Sequence, residues 1–329
     1  MPITVESYNA EKKQVWDEFI TNSKNGTFML KRDYMDYHSD RFKDFSLMFY
    51  DEGKLIAVMP ASLHGDEVRS HGGLTYGGII SNRKMTSPKM LEVFDSLKEF
   101  LKENNIKKLL YKRIPSIYHS YPSDEDLYAL FRNDAKIVRR DISTAILMED
   151  KINFNERRRR NIKKAIKANL KVVQSFDFDG YINLVNDVLG AYHGAKAVHT
   201  GAELKLLAER FPDVIKLFIA ENDEHEMLAG VLIFDTPLTV HSQYIANSDK
   251  GRDIGALDMV FDYLINQYCT PLPPSGTSPA SGADIPAKKY FDFGISNEEE
   301  GRVLNFGLVS QKQEFGGRGI IHDFYELEI

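Results

Sequence analysis

Apolar and polar positions along this chain fall into blocks, and the blocks recur. Ser46 to Tyr50 is a strand-sized apolar run, broken by the polar turn Asp51-Glu52-Gly53 and resumed in Lys54-Leu55-Ile56-Ala57-Val58-Met59-Pro60. In the second half, Lys216 to Ala220 is such a run. Glu221 to Glu226 is its turn, and Met227-Leu228-Ala229-Gly230-Val231-Leu232-Ile233 its continuation. Strand, polar turn, strand predicts an antiparallel hairpin in each half. A segment rich in small residues follows each hairpin, His71-Gly72-Gly73-Leu74-Thr75-Tyr76-Gly77-Gly78 in one and His241-Ser242-Gln243-Tyr244-Ile245-Ala246-Asn247 in the other. Next comes a helical repeat. Leu91, Phe94, Leu97, Phe100 and Leu101 share one face, as do Met259, Val260, Tyr263 and Leu264. A strand closes each block, Lys107 to Tyr111 and Lys288 to Asp292.

The spacing of the two copies locates an insertion. Val93-Phe94-Asp95 matches Val260-Phe261-Asp262 at an offset of 167, whereas Lys107 matches Lys288 at 181, so the second copy has gained 14 residues between helix and strand. Five of the 12 prolines lie there, which predicts a flexible surface loop over 271–287. A strand over Arg139 to Leu147 and a helix from Phe154-Asn155 flank the join. The expected fold is therefore α/β (α+β): two tandem domains, 1–150 and 151–329, each a mixed sheet flanked by helices. A length of 329 residues suits two domains.

Composition narrows the classes. The net charge of −6 excludes a generic nucleic-acid binder, so any basic surface is local. The single cysteine, Cys269, permits neither an intrachain disulfide nor a cysteine zinc site. No apolar run reaches signal-peptide or membrane-spanning length, and a cytoplasmic protein without membrane insertion is expected. There is no Walker spacing and no Gly-x-Ser-x-Gly elbow.

Several segments could carry chemistry. Lys250 to Leu257 lies between a strand and a helix. Gly251, Arg252, Gly255 and Ala256 there offer a helix start where phosphates could approach, and a plain loop capped by Asp253 is the alternative. Arg157 to Lys171 holds eight basic residues and no acid, with Ile162, Ile166 and Leu170 on the expected inner face. His199 opens a helical repeat or lines a pocket as a base; His241 lies on a strand facing core or cleft. Asp292, between Phe291 and Phe293, must be paired if buried. No metal-like ligand spacing surrounds His193 or His199.

In order and spacing, four segments resemble the double-domain Fem-type and GNAT-like acyltransferases: Ser70 to Gly78, Arg160-Asn161-Ile162-Lys163-Lys164-Ala165, Ala197-Val198-His199-Thr200, and Phe291-Asp292-Phe293-Gly294-Ile295-Ser296 running on to Lys312 and Phe315-Gly316. The long helical hairpin of Fem peptidyltransferases is absent, and Leu257 interrupts the acetyl-CoA signature of Arg252-Asp253-Ile254-Gly255-Ala256. The resemblance implies two GNAT-like domains and acyl transfer from acetyl-CoA or another acyl-CoA, without a metal. The implied acceptor is the amine or hydroxyl of a small molecule such as an amino sugar or amino acid, with envelope polysaccharide assembly as the implied setting. Candidate catalytic residues are His199, His241 and Asp292, the last either the structural partner of a basic group or a substrate ligand, and candidate acceptor contacts are His71, Tyr76, Tyr244, Asn305 and Lys312. Aminoacyl transfer from tRNA to a cell-wall precursor, and a non-catalytic binding protein, are the alternatives.

Overall fold

The computed structural model describes residues 3–70, 72–194, 196–268 and 288–329. The chain divides into two compact units. One is Met1–Ile142 with Asn297–Val303 and Ile321–Ile329; the other is Ser143–Ser296 with Leu304–Ile320. The Pro-rich stretch 271–287 lies outside the described residues.

The first unit runs β1 (Thr4–Ser7), α1 (Lys13–Asn22), α2 (Arg32–Met35), β2 (Leu47–Asp51), β3 (Lys54–Met59), β4 (Ser62–His64), β5 (Glu67–Arg69), β6 (Ile80–Ser81), α3 (Ser87–Glu103), β7 (Lys108–Lys112), α4 (Glu125–Arg132) and the first part of β8 (Lys136–Leu147). The predicted hairpin is β2–β3, closing with Asp51 opposite Lys54. Glu52 and Gly53 both take positive φ, 49° and 75°. A two-residue turn with that geometry matches the twist of the strands it joins. Thr86 caps α3, which buries Met90, Val93, Phe94, Leu97 and Leu101 against Phe49, Met59, Leu109 and Tyr111. β5 pairs with β7 in parallel, ending at Arg69 opposite Leu110.

The chain continues with α5 (Glu156–Lys167), β9 (Lys171–Ser175), α6 (Phe178–His193), α7 (Gly201–Arg210), β10 (Ile215–Glu221), β11 (Met227–Asp235), β12 (Thr239–Asn247), α8 (Asp249–Ile254), α9 (Ala256–Tyr268) and β13 (Tyr290–Ile295). It ends with β14 (Asn297–Glu298), β15 (Val303–Leu304), α10 (Phe306–Glu314) and β16 (Arg318–Glu328). In the second unit the strand order is β8-β13-β12-β11-β10-β9. The second predicted hairpin is β10–β11, and β12 pairs with β13 in parallel. β11 reads as an unbroken apolar run because both its faces are covered. Ala229, Val231 and Ile233 join Val260, Phe261 and Leu264 of α9 in one core. On the other face Tyr181 of α6 lies so close over Gly230 that a Cβ there would come within 2.6 Å of its ring.

Hairpin, parallel strand pair and helix thus recur in the same order in both units. What the local pattern does not announce is the return of the C-terminal strand. Within the first unit, β16 lies antiparallel to β7, with Leu327 opposite Leu109.

The inner face of α5 matches expectation in part: Leu170, just past the helix, is buried in the core and Ile162 is half-buried. Ile166 is 58% exposed, and the helix buries Arg158 and Ala165 instead. The Arg158 guanidinium donates to Asp258 at 2.8 Å and to Glu314 at 2.7 Å, and its centre lies 5.3 Å from the Phe315 ring. Burial raises the pKa of Asp258, and Arg158 opposes that rise. One member of the basic run is therefore a core ion-pair residue.

Candidate active site

β12 carries a bulge. Phe234 faces His241 and Leu232 faces Tyr244, so three residues of β12 span two of β11. Directly opposed residues share a face, and an extra residue resets the alternation. His241 and Tyr244, an odd number apart, consequently lie on the same face of the sheet. Asp292 joins them there, since its neighbours Phe291 and Phe293 pack on the opposite side with α9.

The parallel pairing of β12 and β13 ends at His241 opposite Asp292. There His241 Nδ1 and Asp292 Oδ2 are 2.8 Å apart, with Asp292 fully buried and His241 nearly so. Asp292 Oδ1 accepts from the Ser143 hydroxyl and from the backbone N–H of Gly294 at 3.1 Å. Gly294 has φ +77°, a conformation that favours glycine. It lies where the register of β13 against β8 shifts. A carboxylate so held accepts Nδ1–H and fixes the imidazole tautomer with the Nε2 lone pair available for a proton. The sequence marks His241 and Asp292 separately. Their partnership depends on strand register, and Ser143 carried no signal of its own.

Lys312 of α10 approaches the same place. Its Nζ donates to the carbonyls of Gly294 at 2.9 Å and Ile295 at 2.6 Å. Burial lowers its pKa to about 8, with the Asp292 charge opposing. Asn305 is the N-cap of α10, its side chain accepting from Leu308 N at 3.0 Å, so its side chain serves the helix start.

His199 Nδ1 lies 2.7 Å from the Tyr244 hydroxyl, which also receives the His199 backbone N–H at 3.3 Å. Burial raises the Tyr244 pKa. Thr200, next to His199, caps α7 in a reciprocal pair with Glu203. His199 is therefore both next to a helix start and joined to the face that bears His241. Tyr76 belongs to the first unit, fully buried, with its hydroxyl donating to Thr27 at 3.1 Å. His71 lies outside the described residues.

The segment Gly251–Ala256 departs from the open loop suggested by its glycines. Ser248, not Asp253, provides the cap, accepting from Gly251 N at 3.0 Å, and Asp249–Ile254 forms the short helix α8. Gly251 packs so closely that a Cβ would strike the Leu228 carbonyl, and at Gly255 it would strike that of Asn161. Both glycines are explained by the chain's own packing, while Ala256 is buried and Arg252 exposed. Gly255 also has φ +79°. Gly255→Ala is expected to cost at least about 1–2 kcal/mol through left-handed strain and overpacking. A drop in the melting temperature of the ligand-free protein checks this; an unchanged melt would return the glycine to ligand binding.

Among the described residues, no group of three His, Cys, Asp or Glu side chains is placed to hold a metal ion. No helix among them is long and apolar enough to cross a membrane.

No protein-family model matches the sequence. No curated protein matches it. Solved structures do. FemX is similar with a TM-score of 0.67 over 98% of this chain and 97% of that one, at 12% identity. L-PGS from Bacillus licheniformis gives 0.59 over 96% and 91%, at 12% identity. A tandem GNAT protein from the clavulanic acid biosynthesis pathway gives 0.50 over 99% and 98%, at 9% identity. The likeness is one of fold: this chain has the Fem-type, tandem GNAT-like architecture that its segments suggested.

Proposed function

We propose that the second unit transfers an acyl group from an activated carboxyl donor to the amine or hydroxyl of a small acceptor. The observation that carries this reading is the buried Asp292–His241 pair at the end of the parallel strands. As the acceptor nitrogen or oxygen bonds to the acyl carbon, its proton passes to His241 Nε2. Asp292 stabilises the imidazolium that forms. The tetrahedral intermediate then collapses, and the bond to the leaving group breaks with its electron pair on that group, which receives the proton. Lys312 spends two N–H donors on carbonyls, and its third is a candidate to hold the oxyanion. Similarity to FemX and to a tandem GNAT protein supports a transferase.

An acyl-CoA donor is the first reading. One observation favours the second, aminoacyl-tRNA. On α5, Arg160, Lys163 and Lys167 are exposed, and none has an acidic partner among the described residues. Such a row suits a polyanion longer than a single pyrophosphate. The deciding assay offers acetyl-CoA with amino sugars and amino acids, following thiol release, and separately labelled aminoacyl-tRNA, following transfer of the label. Transfer from either donor that His241→Ala abolishes supports the proposal. Folded protein that transfers from neither donor points to the non-catalytic binding protein.

Lys312→Met is expected to lower turnover by about 10²–10³-fold. Burial places the Lys312 pKa near 8, so wild-type turnover should decline as pH rises through that value and the ammonium is lost. The variant should lack this alkaline limb, and a pH–rate profile checks it.

A further inference from the structure

The two units differ at one informative place. In the second unit the parallel pair ends at His241 and Asp292. In the first it ends at Arg69 and Leu110, where no His–Asp pair can form and Arg69 is bonded to Glu67 at 2.6 Å. Ligands of open α/β sheets bind beyond the carboxyl ends of parallel strands. Beyond this end stands Lys112. Its backbone is held firmly: its N–H donates to Ser70 Oγ at 3.1 Å, and its carbonyl accepts from Gly77 N at 2.9 Å.

The Lys112 side chain is not held in the same way. Its Nζ lies 4.7 Å from the centroid of the Phe324 ring, and the Arg139 guanidinium lies at 4.7 Å from the same ring. Asp141 is the nearby carboxylate, but it takes two 2.9 Å bonds from Arg139 and one of 2.8 Å from Asn297. Among the described residues, Lys112 Nζ has no hydrogen-bonded acceptor and no ion-pair partner. Enclosed lysines elsewhere in the chain do have them. Lys24 meets Glu125 at 2.6 Å, and Lys288 meets Asp235 at 2.6 Å. A half-buried ammonium on a ring face has given up part of its hydration without an acceptor in return, and a bound anion would supply one. Lys112 is half-buried, which leaves it within reach of such a group.

We propose that Lys112 binds an anionic oxygen group, a phosphate or a carboxylate, carried by a small molecule that occupies the first unit beside Phe324 and Arg139. That this molecule is the acceptor rests on the acyl-transfer reading above; the anion site itself does not. Burial, with Arg139 adding and Asp141 opposing, lowers the Lys112 pKa to about 8. A bound anion favours the ammonium, so binding above that pH takes up a proton and weakens as pH rises. Arg139 and Asp141 are the other charged groups facing it.

Calorimetry on the whole chain, with inorganic phosphate and separately with succinate, tests the site. At least one should bind wild type, at least about tenfold more weakly to Lys112→Met, while Lys112→Arg keeps most of the affinity. Heats measured in two buffers at about pH 8.5 should reveal proton uptake in wild type that Lys112→Met lacks. Phosphate preference indicates a phosphate ester, succinate preference a carboxylate. Should Lys112→Met fail to fold, the methylated lysine resonances of wild type serve instead, and one that titrates near pH 8 should shift on anion addition. Equal affinity in wild type and Lys112→Met, or neither anion binding nor moving that resonance, overturns the proposal. Anion binding at Lys112 in a protein that transfers no acyl group would leave this site standing and refute the catalytic reading alone.

Discussion

Replacing His241 with alanine is expected to lower turnover by about 10²–10⁴-fold, the usual contribution of a positioned general base. Asp292→Asn should cost a similar factor although it changes little in size. The amide places an N–H group or a poorer acceptor against Nδ1, and the tautomer with Nε2 protonated is no longer disfavoured. Ser143→Ala should have a smaller effect, because Gly294 N–H still holds the carboxylate. The three variants need to be compared for kcat and KM alongside their melting curves. Loss confined to kcat marks chemistry, since a group acting only in the transition state leaves ground-state binding alone. If His241→Ala and Asp292→Asn fold and turn over at wild-type rates, the proton leaves by another route, and the His199–Tyr244 pair becomes the next candidate.

The largest stability loss is expected at Arg158. Arg158→Ala removes the cation beside a carboxylate that is almost wholly buried and leaves Asp258 with only the 3.3 Å bond from the Asn161 amide, at a cost of about 3–5 kcal/mol. Glu314 loses a 2.7 Å bond as well, though Arg157 retains one at 2.8 Å. Urea unfolding measures the effect directly. A double variant, Arg158→Met with Asp258→Leu, should recover much of the loss, because it removes the stranded charge along with its partner. By contrast, Lys163→Ala on the exposed side of α5 should fall within about 0.5 kcal/mol of wild type. Equal losses at the two positions would show that the buried ion pair matters no more than the surface.

These outcomes also show what the chain reveals before folding. The hairpins and the long helices were legible because apolar periodicity reports burial directly. Glu52-Gly53 and the face of α3 follow from that alone. The helix α8 was hidden by its glycines. Gly251 and Gly255 weaken a helical pattern, and the reason for their presence is the approach of Leu228 and Asn161, which no local pattern contains. In sequence Arg158 is indistinguishable from its basic neighbours, because periodicity gives the amphipathic face but not which charge finds a buried carboxylate a hundred residues away. The site was half legible. Asp292 between two phenylalanines had to be paired, but its partners on β12 and β8 were decided by register, and the bulge that turns Tyr244 to the same face as His241 leaves no mark in composition.

The return of β16 has a consequence for how the molecule is made. Ile321–Ile329 complete the first unit, covering β7 with the pairs Leu109–Leu327 and Lys112–Phe324. A ribosome therefore releases β7 long before its partner exists, and the whole second unit must be synthesised in between. During that interval the edge of β7, with Leu109 and Tyr111 in its sequence, is open to pairing with other chains. The second unit in turn waits for Leu304–Ile320, so neither unit is whole until the last residues emerge, and completion of both is expected to follow synthesis of nearly the entire chain.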